Sequence, residues 1–389
     1  MSTHHTESIP APQVVAALAI GTIAVLMVGI QPIVLGELVE AHQVSLEGVG
    51  IVAMAEIILL GLGVVLGDAL LPVGQLRWIT IAAALTAAGL DGLTLRATGD
   101  GAMTAVRAAA GLAEGVLVWG TTGVIVRTAN PARVGGIFFV LQTLAQALVG
   151  LLLANAIIPR WGWQGAFTAL GMLALSCCLL AFAQPSRLAA LAPPAVSGFR
   201  WSVRTAQPLA VAFLQLATLG SFWAYLEPLG KVAGFDGRGA QTLIAAVLAT
   251  QVVAGSVATF AVRRLPVVPT LAACSLALAA VTGTVYELPG GSTRDFALAC
   301  LLFGFVWLFM LPFQIGLAFR ADASGRLASL VPAAQLLGSA FGPLMASFIV
   351  KGENASAVPL LSAGFALAAG VLVVLGRVRY AAPAAGALP

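Results

Sequence analysis

Charged residues are scarce in this sequence. They make up 9% of the chain, against about 25% in an ordinary soluble domain, while 60% of the residues are hydrophobic. The mean hydropathy is +1.02. Apolar runs recur along the whole chain with a length of about 20 residues, which is the length of one helical bilayer crossing. The shortage of charge therefore excludes a water-soluble fold.

Histidine and cysteine are also rare. The three histidines, His4, His5 and His42, lie outside the apolar runs, which excludes a histidine-based catalytic site within them. The four cysteines lie inside apolar runs, where a small hydrophobic side chain is the simplest interpretation. The sequence also lacks the G-x4-G-K loop, followed by Ser or Thr, that binds ATP in primary pumps. We therefore expect no enzyme, no ATP-driven pump, and no cofactor or metal ion.

Breaks made of Pro, Gly and charged residues divide the apolar runs into twelve helices. The predicted helices are 13–36, 46–70, 77–95, 102–126, 135–158, 164–183, 206–229, 239–261, 267–286, 295–319, 327–350 and 357–377. The longest polar stretch follows the sixth helix. The predicted fold is an all-α integral membrane protein with an N-terminal six-helix bundle (1–186), a cytoplasmic linker (187–205) and a C-terminal six-helix bundle (206–389).

The basic residues predict the orientation. Lys and Arg are about twice as frequent in the loops of one side as in those of the other, and the richer side faces the cytoplasm. Both termini and the linker are therefore predicted to be cytoplasmic, most simply in a bacterial inner membrane. The basic residues form no patch interleaved with aromatics, so we expect membrane lipids but no nucleic acid as partners, and a monomer.

An internal repeat relates the two halves. Arg127, Arg133 and Gln142 follow the spacing R-x5-R-x8-Q, and the same spacing recurs 193 residues later. The second set is Arg320, Arg326 and Gln335. Duplicated halves are the construction of many transporters, whose binding sites lie near the middle of the membrane.

Three motifs resemble those of the major facilitator superfamily. Helix 4 carries Arg107, Gly111 and Gly115 in the spacing R-x3-G-x3-G. Helix 6 begins with WGWQGAF at 161–167, which is similar to the family's GWR-x-x-F, and helix 11 contains GSAFGP at 338–343. The resemblance covers nearly the whole chain. It implies twelve helices, secondary transport by alternating access, and a central cavity lined by helices 1, 4, 7 and 10.

One loop departs from the family pattern. The loop between helices 2 and 3 usually reads G-x3-D-(R/K)-x-G-(R/K), but here ALLPVGQLR follows Asp68, so Gly74 and Arg77 come late. The predicted gating and structural residues are Asp68, Gly111, Gly115, Gly338, Gly342 and Pro343. The paired small residues are expected to allow close helix approach.

Few charges lie inside the predicted helices. Glu56, Arg107 and Glu114 are the clear cases, with Asp91 near the outer end of helix 3. A charge at the bilayer centre costs about 2.5–3.5 kcal/mol on insertion scales, so such residues are functional candidates. Arg107 and Glu114 are seven positions apart and share a helix face. We expect Glu114 or Glu56 to carry a proton; the alternatives are a static brace with Arg107 or direct contact with the substrate.

Amides, hydroxyls and aromatics recur at helical spacing on the cavity helices, which is typical of a pocket for a largely apolar organic molecule. The predicted substrate-binding residues are Arg107, Gln31, Gln142, Gln146, Gln215, Thr218, Ser221, Phe222, Tyr225, Phe303, Trp307, Gln314 and Gln335. For each aromatic, packing or lipid contact is the alternative interpretation. For Gln142, Gln146 and Gln335, which lie on helices 5 and 11, the alternative is hydrogen bonding between helices.

Two directions of transport stay open at this stage. Proton-coupled efflux of an amphipathic compound or metabolite fits the aromatic, weakly charged cavity, whereas proton-coupled uptake of a small organic or aromatic acid fits Arg107 as a carboxylate partner. The efflux motif G-x3-G-P-x2-G-G is missing from helix 5. A channel or a non-transporting receptor is the alternative of another class.

Overall fold

The computed structural model describes residues 9–189, 202–288, 290, 292–322, 326–352 and 354–381, and they are almost entirely helical. The helices before the linker are α1 (Ala11–Ala24), α2 (Leu26–Glu40), α3 (Leu46–Leu70), α4 (Leu76–Thr94), α5 (Asp100–Ile125), α6 (Pro131–Leu152) and α7 (Ile158–Ala183). Those after it are α8 (Val203–Ala224), α9 (Leu226–Val232), α10 (Gly237–Ala261), α11 (Val267–Glu287), α12 (Thr293–Ala321), α13 (Arg326–Ile349) and α14 (Val358–Ala381). Residues 190–201 of the predicted linker lie outside the described residues.

The helices have the length and composition of membrane spans. Within the described ranges, ten are long and apolar enough to cross a bilayer, or eleven if the bent pair Thr205–Ala224 and Leu226–Val232 is one span. One of the ten, Arg133–Ala183, has 51 residues, about twice what one crossing needs. Gly162 breaks it with a φ of 59°, a conformation that favours glycine. With the bent pair counted as one span and the two parts of Arg133–Ala183 counted separately, the described residues contain the predicted twelve spans.

Two spans contain a break that the sequence prediction treated as continuous helix. The first breaks at Val25 between α1 and α2, and the seventh breaks at Tyr225, where α8 and α9 are bent by 54°. Pro228 explains the second break, because in a regular helix its ring would clash with the backbone carbonyl of the residue four positions earlier. At the first break, Gln146 Nε2 donates to the Val25 carbonyl at 2.8 Å. The backbone acceptor therefore keeps a partner inside the membrane.

Polar side chains cap α6 and α10 at their first turns. Asn130 accepts from the Arg133 amide at 3.0 Å, and Asp236 accepts from the Gly239 amide at 2.8 Å. Each supplies an acceptor for an amide that the first turn leaves unpaired. These residues mark the start of α6 and α10 in the sequence itself.

The chain divides into two compact units. Unit 1 comprises the described residues within 1–44 and 55–194, and unit 2 those within 45–54 and 195–389. The start of α3 therefore groups with unit 2: Gly50 N–H donates to Tyr225 Oη at 3.1 Å. In unit 1, α4 packs on α5 and α7; in unit 2, α8 packs on α13 and α14, and α10 packs on α12.

Large apolar side chains remain on the outer faces of both units. Leu179 in unit 1 is 76% exposed and Phe260 in unit 2 is 71% exposed. Water would oppose such exposure, whereas lipid chains accept it. The chain is therefore a multi-pass integral membrane protein whose helices are covered by lipid.

Close helix crossings depend on glycine. A Cβ added at Gly111 would collide with the Glu56 carbonyl oxygen, and one at Gly115 would collide with that of Leu60. In unit 2, a Cβ added at Gly338 or Gly342 of α13 would collide with the carbonyl oxygen of Phe213 or Ala217 of α8, respectively. Pro343 lies beside them, with its Cδ against Gly220. The small residues predicted from their spacing thus lie where backbones touch.

Candidate functional site

Arg107 lies at the centre of a buried ionic cluster in unit 1. Its residue exposure is 0%, and it projects from the middle of α5. A guanidinium in that position requires negative partners, because a bare charge away from water is very costly. Three carboxylates supply them.

The carboxylates come from three helices. Glu56 of α3 accepts from Arg107 Nε at 3.0 Å and also from Nη2. Asp91 of α4 accepts from Nη1 at 2.7 Å, and Glu114 of α5 lies 3.4 Å from Nη2. Since all three are at most 8% exposed, the fully ionised cluster would carry two negative charges in excess inside the protein. An arrangement of this kind favours binding of a proton.

Neutral groups complete the cluster. Gln31 of α2 donates through Nε2 to Glu56 Oε2 at 3.3 Å, so Glu56 is bonded through both oxygens. The Arg107 Cζ lies 5.2 Å from the centroid of the Phe167 ring, which is a cation–π distance. Arg107 of the R-x3-G-x3-G motif on α5 and Phe167 of the WGWQGAF motif on α7 are thus in contact. Helices α2, α3, α4, α5 and α7 all contribute.

Glu114 differs from the other two carboxylates. Its Oε2 atom is buried and has no hydrogen-bond partner among the described residues. A cavity of about 20 Å³ borders it, lined also by Asp91, Arg107 and apolar side chains such as Met27 and Leu117. That volume holds about one water molecule. Of the three acids, Glu114 therefore has both the weakest bond to Arg107 and an open oxygen.

The structure brings together Arg107, Glu56, Glu114 and Gln31. The sequence had predicted the two glutamates for proton coupling and Gln31 for substrate binding. The structure adds Asp91, which the sequence analysis noted only as a charge near a helix end. A signal was available, since Asp91 is an acid inside an apolar run. The partner of Asp91 could not be found that way, because Arg107 is 16 positions further along the chain and a loop lies between them.

The predicted gating acid lies elsewhere in unit 1. Asp68, near the end of α3, interacts electrostatically with Arg127, which follows α5. Burial lowers the pKa of Arg127, and the Asp68 carboxylate opposes that shift. Arg127 also donates to the Gly123 carbonyl at 2.7 Å and to the Ala189 carbonyl at 2.6 Å. Asp68 thus has a cationic neighbour despite the altered loop sequence.

Three predicted amides of unit 2 form a chain. Gln335 donates to Gln314 at 2.6 Å, Gln314 donates to Gln215 at 2.7 Å, and Gln215 donates to Ser275 at 2.9 Å. Gln215 and Gln314 are fully buried. Their polar groups hydrogen-bond to neighbouring side chains, and these bonds connect α8, α11, α12 and α13.

The predicted aromatics of unit 2 cluster on α8 and α12. The Phe222 and Phe303 ring centroids are 4.7 Å apart, and Phe303 and Trp307 are 6.1 Å apart. Trp223, which the sequence analysis did not select, packs edge-on against Trp307 at 5.3 Å. We call these four side chains the aromatic box.

The remaining predicted binding residues have local partners. Thr218 donates to its own helix at Leu214, and Ser221 shares a 2.7 Å hydrogen bond with Ser362. Tyr225 is fully buried and accepts from Gly50. Gln142 is half-buried in α6, and no side-chain hydrogen bond of it is found in the described part of the chain.

The sequence matches the profile of the Major Facilitator Superfamily over residues 16–321. That segment includes the whole of the ionic cluster and the aromatic box. Among curated proteins, no sequence matches the chain significantly.

Solved structures match nearly the full length. The nucleoside transporter NupG is 12% identical, with a TM-score of 0.66 and coverage of 94% of this chain and 99% of the other. A D-xylose-proton symporter is 13% identical, with a TM-score of 0.70 and coverage of 93% and 97%. A bacterial homolog to the human lysosomal transporter Spinster, in an inward-facing and occupied conformation, is 13% identical, with a TM-score of 0.68 and coverage of 95% and 98%. At these identities the similarity establishes the fold.

Proposed function

This chain belongs to the Major Facilitator Superfamily and is a secondary transporter rather than an enzyme, and we propose that it is proton-coupled, with Glu114 as the carboxylate that binds and releases the proton. The observation that carries the proposal is the buried cluster of three acids on one guanidinium. The unpartnered Glu114 Oε2 lies beside a water-sized cavity, where a proton can arrive without displacing a hydrogen bond.

The choice of Glu114 follows from the competition for Arg107. Glu56 is held by Arg107 and Gln31, and Asp91 has a 2.7 Å bond to the guanidinium. Protonating either one weakens a short charge-assisted bond. Protonating Glu114 costs only a 3.4 Å contact and relieves repulsion from the other two acids.

Release of the proton would change the cluster. An ionised Glu114 competes with Glu56 for the same Arg107 nitrogen, Nη2. Because Arg107 and Glu114 are on α5 whereas Glu56 is on α3, this competition acts across the Gly111 crossing of the two helices. Proton binding can thus favour one arrangement of the helices over another, which is what coupling requires.

The cargo proposed is a small organic molecule without a carboxylate. Arg107 is fully buried and already faces three acids, so it is a poor partner for a fourth. This argues against the alternative of organic-acid uptake through Arg107. The structural neighbours are described as transporters of nucleosides and of D-xylose, which are uncharged compounds. We propose a monomer in the bacterial inner membrane with both termini cytoplasmic.

Glu114→Gln is expected to abolish the transient current that proton binding produces when the purified protein, in liposomes on a solid-supported membrane, receives a pH step without substrate. Glutamine keeps the size and the contact with Arg107 but cannot titrate. Glu287→Gln, at the exposed end of α11, is the matched control and should leave the current unchanged. A full current in Glu114→Gln would place the proton on another group.

A further inference from the structure

Two buried donors in unit 2 have no acceptor. The indole Nε1 of Trp223 and the amide Nε2 of Gln251 are each without a hydrogen-bond partner among the described residues. Trp223 is 3% exposed and Gln251 is 4% exposed. Buried polar groups are nearly always satisfied, so two such donors in one unit call for an acceptor that the described residues do not supply.

Both donors belong to helices that pack against α12: Trp223 is on α8 and Gln251 is on α10. Trp223 is part of the box and packs edge-on against Trp307 of α12. Gln251 lies midway between Val247 and Gly255 on one face of α10, and these two residues contact Gly304 and Leu308 of α12. Trp307 is in the same turn of α12, so the Gln251 amide and the box share this part of unit 2.

The repeat makes this region the sequence counterpart of the ionic cluster. Trp307 lies 193 positions after Glu114, and Cys300 lies 193 positions after Arg107. Gly304 corresponds in the same way to Gly111, and both pack at a close helix crossing. Where unit 1 has an arginine and a glutamate, unit 2 has a thiol and an indole. These two positions of unit 2 are therefore uncharged.

From the unpartnered donors and the uncharged surroundings, we infer that the aromatic box, with Trp223 Nε1 and Gln251 Nε2, is a binding site for an uncharged, flat ring that carries a hydrogen-bond acceptor such as a carbonyl oxygen. The inference rests on the proposed transport function and specifies its substrate class. The four rings are in tilted or edge-on contact, with centroids 4.7–6.1 Å apart, and such an aromatic surface favours packing of a planar ring against it. A carboxylate would be buried without a counter-charge, and a cation would meet donors rather than acceptors.

Trp307 is the most exposed side chain of the aromatic box. It is half-buried, whereas Phe222, Trp223 and Phe303 are at most 3% exposed. The polar chain of Gln215, Gln314 and Gln335 is already satisfied and serves as the rigid support of α8, α12 and α13.

Binding of three compounds with the same ring tests the inference. Benzamide is neutral with an acceptor, benzoate is an anion and benzylammonium is a cation. Each is measured by equilibrium dialysis against the full chain in lipid nanodiscs, with empty nanodiscs as the blank. We expect saturable binding of benzamide and at least about tenfold weaker binding of the two ions, because neither charge is compensated in the site.

Variants assign the binding to the two donors. Trp223→Phe keeps a ring but removes the Nε1 donor, and Gln251→Met keeps the length but removes the amide; each should raise the Kd of benzamide about twofold to tenfold, the worth of one hydrogen bond. Trp119→Phe in unit 1 is the matched control and should bind normally. Thermal unfolding of each variant checks that it is folded.

Three results would overturn the inference: no saturable benzamide binding, a benzamide Kd unchanged in both donor variants, or benzoate binding more tightly than benzamide. None of these affects the pH-step current, which needs no substrate. If the unmodified chain gave no pH-step current, the proposed proton coupling would be rejected, whereas the benzamide-binding result would be unaffected.

Discussion

Arg107→Met is expected to destabilise unit 1 by about 3–5 kcal/mol, which is the cost of removing one partner from a buried ionic group. The change leaves Glu56, Asp91 and Glu114 together inside the protein without a cation. At least two of them must then take up protons to remain buried. The folded yield and the midpoint of thermal unfolding in detergent measure the effect.

The same cluster provides a rescue. Adding Glu56→Gln, Asp91→Asn and Glu114→Gln to Arg107→Met removes all four charges at nearly constant volume, and we expect most of the lost stability to return. Arg96→Met, at an exposed position after α4, should change the unfolding midpoint little. If Arg107→Met unfolded like the unmodified chain, the three acids would not depend on this guanidinium.

Gly111→Ala is expected to destabilise the chain by about 1–3 kcal/mol, in the range of overpacking substitutions. The added methyl group would collide with the backbone oxygen of Glu56, which cannot move without shifting α3. Because the Glu56 carboxylate also binds Arg107, the shift would disturb the ionic cluster. Thermal unfolding should report the loss, and the pH-step current should be reduced with it.

Gly101→Ala in the same helix is the matched control. Nothing lies within 4 Å of a Cβ at that position, so alanine adds helix propensity without a collision. We expect unchanged or slightly higher stability. If the two alanine variants lost equal stability, the need for glycine at position 111 would lie in its backbone conformation rather than in the close α3–α5 crossing.

The membrane fold was predictable because its cause is local. A run of about 20 apolar residues crosses a bilayer as a helix whatever its neighbours are, and the family membership inferred from Arg107, Gly111 and Gly115 is confirmed by the profile match. The breaks at Val25 and Tyr225 were missed. The first shows no proline or charge at that point, and its carbonyl is satisfied by Gln146, a residue 121 positions away.

The candidate site was predictable only in part. Charges are so rare in the apolar runs that Glu56, Arg107 and Glu114 stand out, and the spacing of Arg107 and Glu114 places them on one face of α5. Asp91 was noted only as a charge near the outer end of helix 3 and was not selected as a site residue. Trp223 and Gln251 could not be selected at all, since an unpartnered donor is recognised only when all its neighbours are known.

The sequence by itself determined that this chain crosses the membrane as a bundle of helices, that it repeats after 193 residues, and that the clear charges inside its apolar runs, Glu56, Arg107 and Glu114, lie in the first half. Composition and periodicity suffice for these properties, because the bilayer acts on each segment separately. Only the tertiary structure decided that three acids share one guanidinium and that Glu114 has the open oxygen. Those facts depend on side chains from α2, α3, α4, α5 and α7 meeting at one point, and no local pattern encodes the distance between residues on different helices.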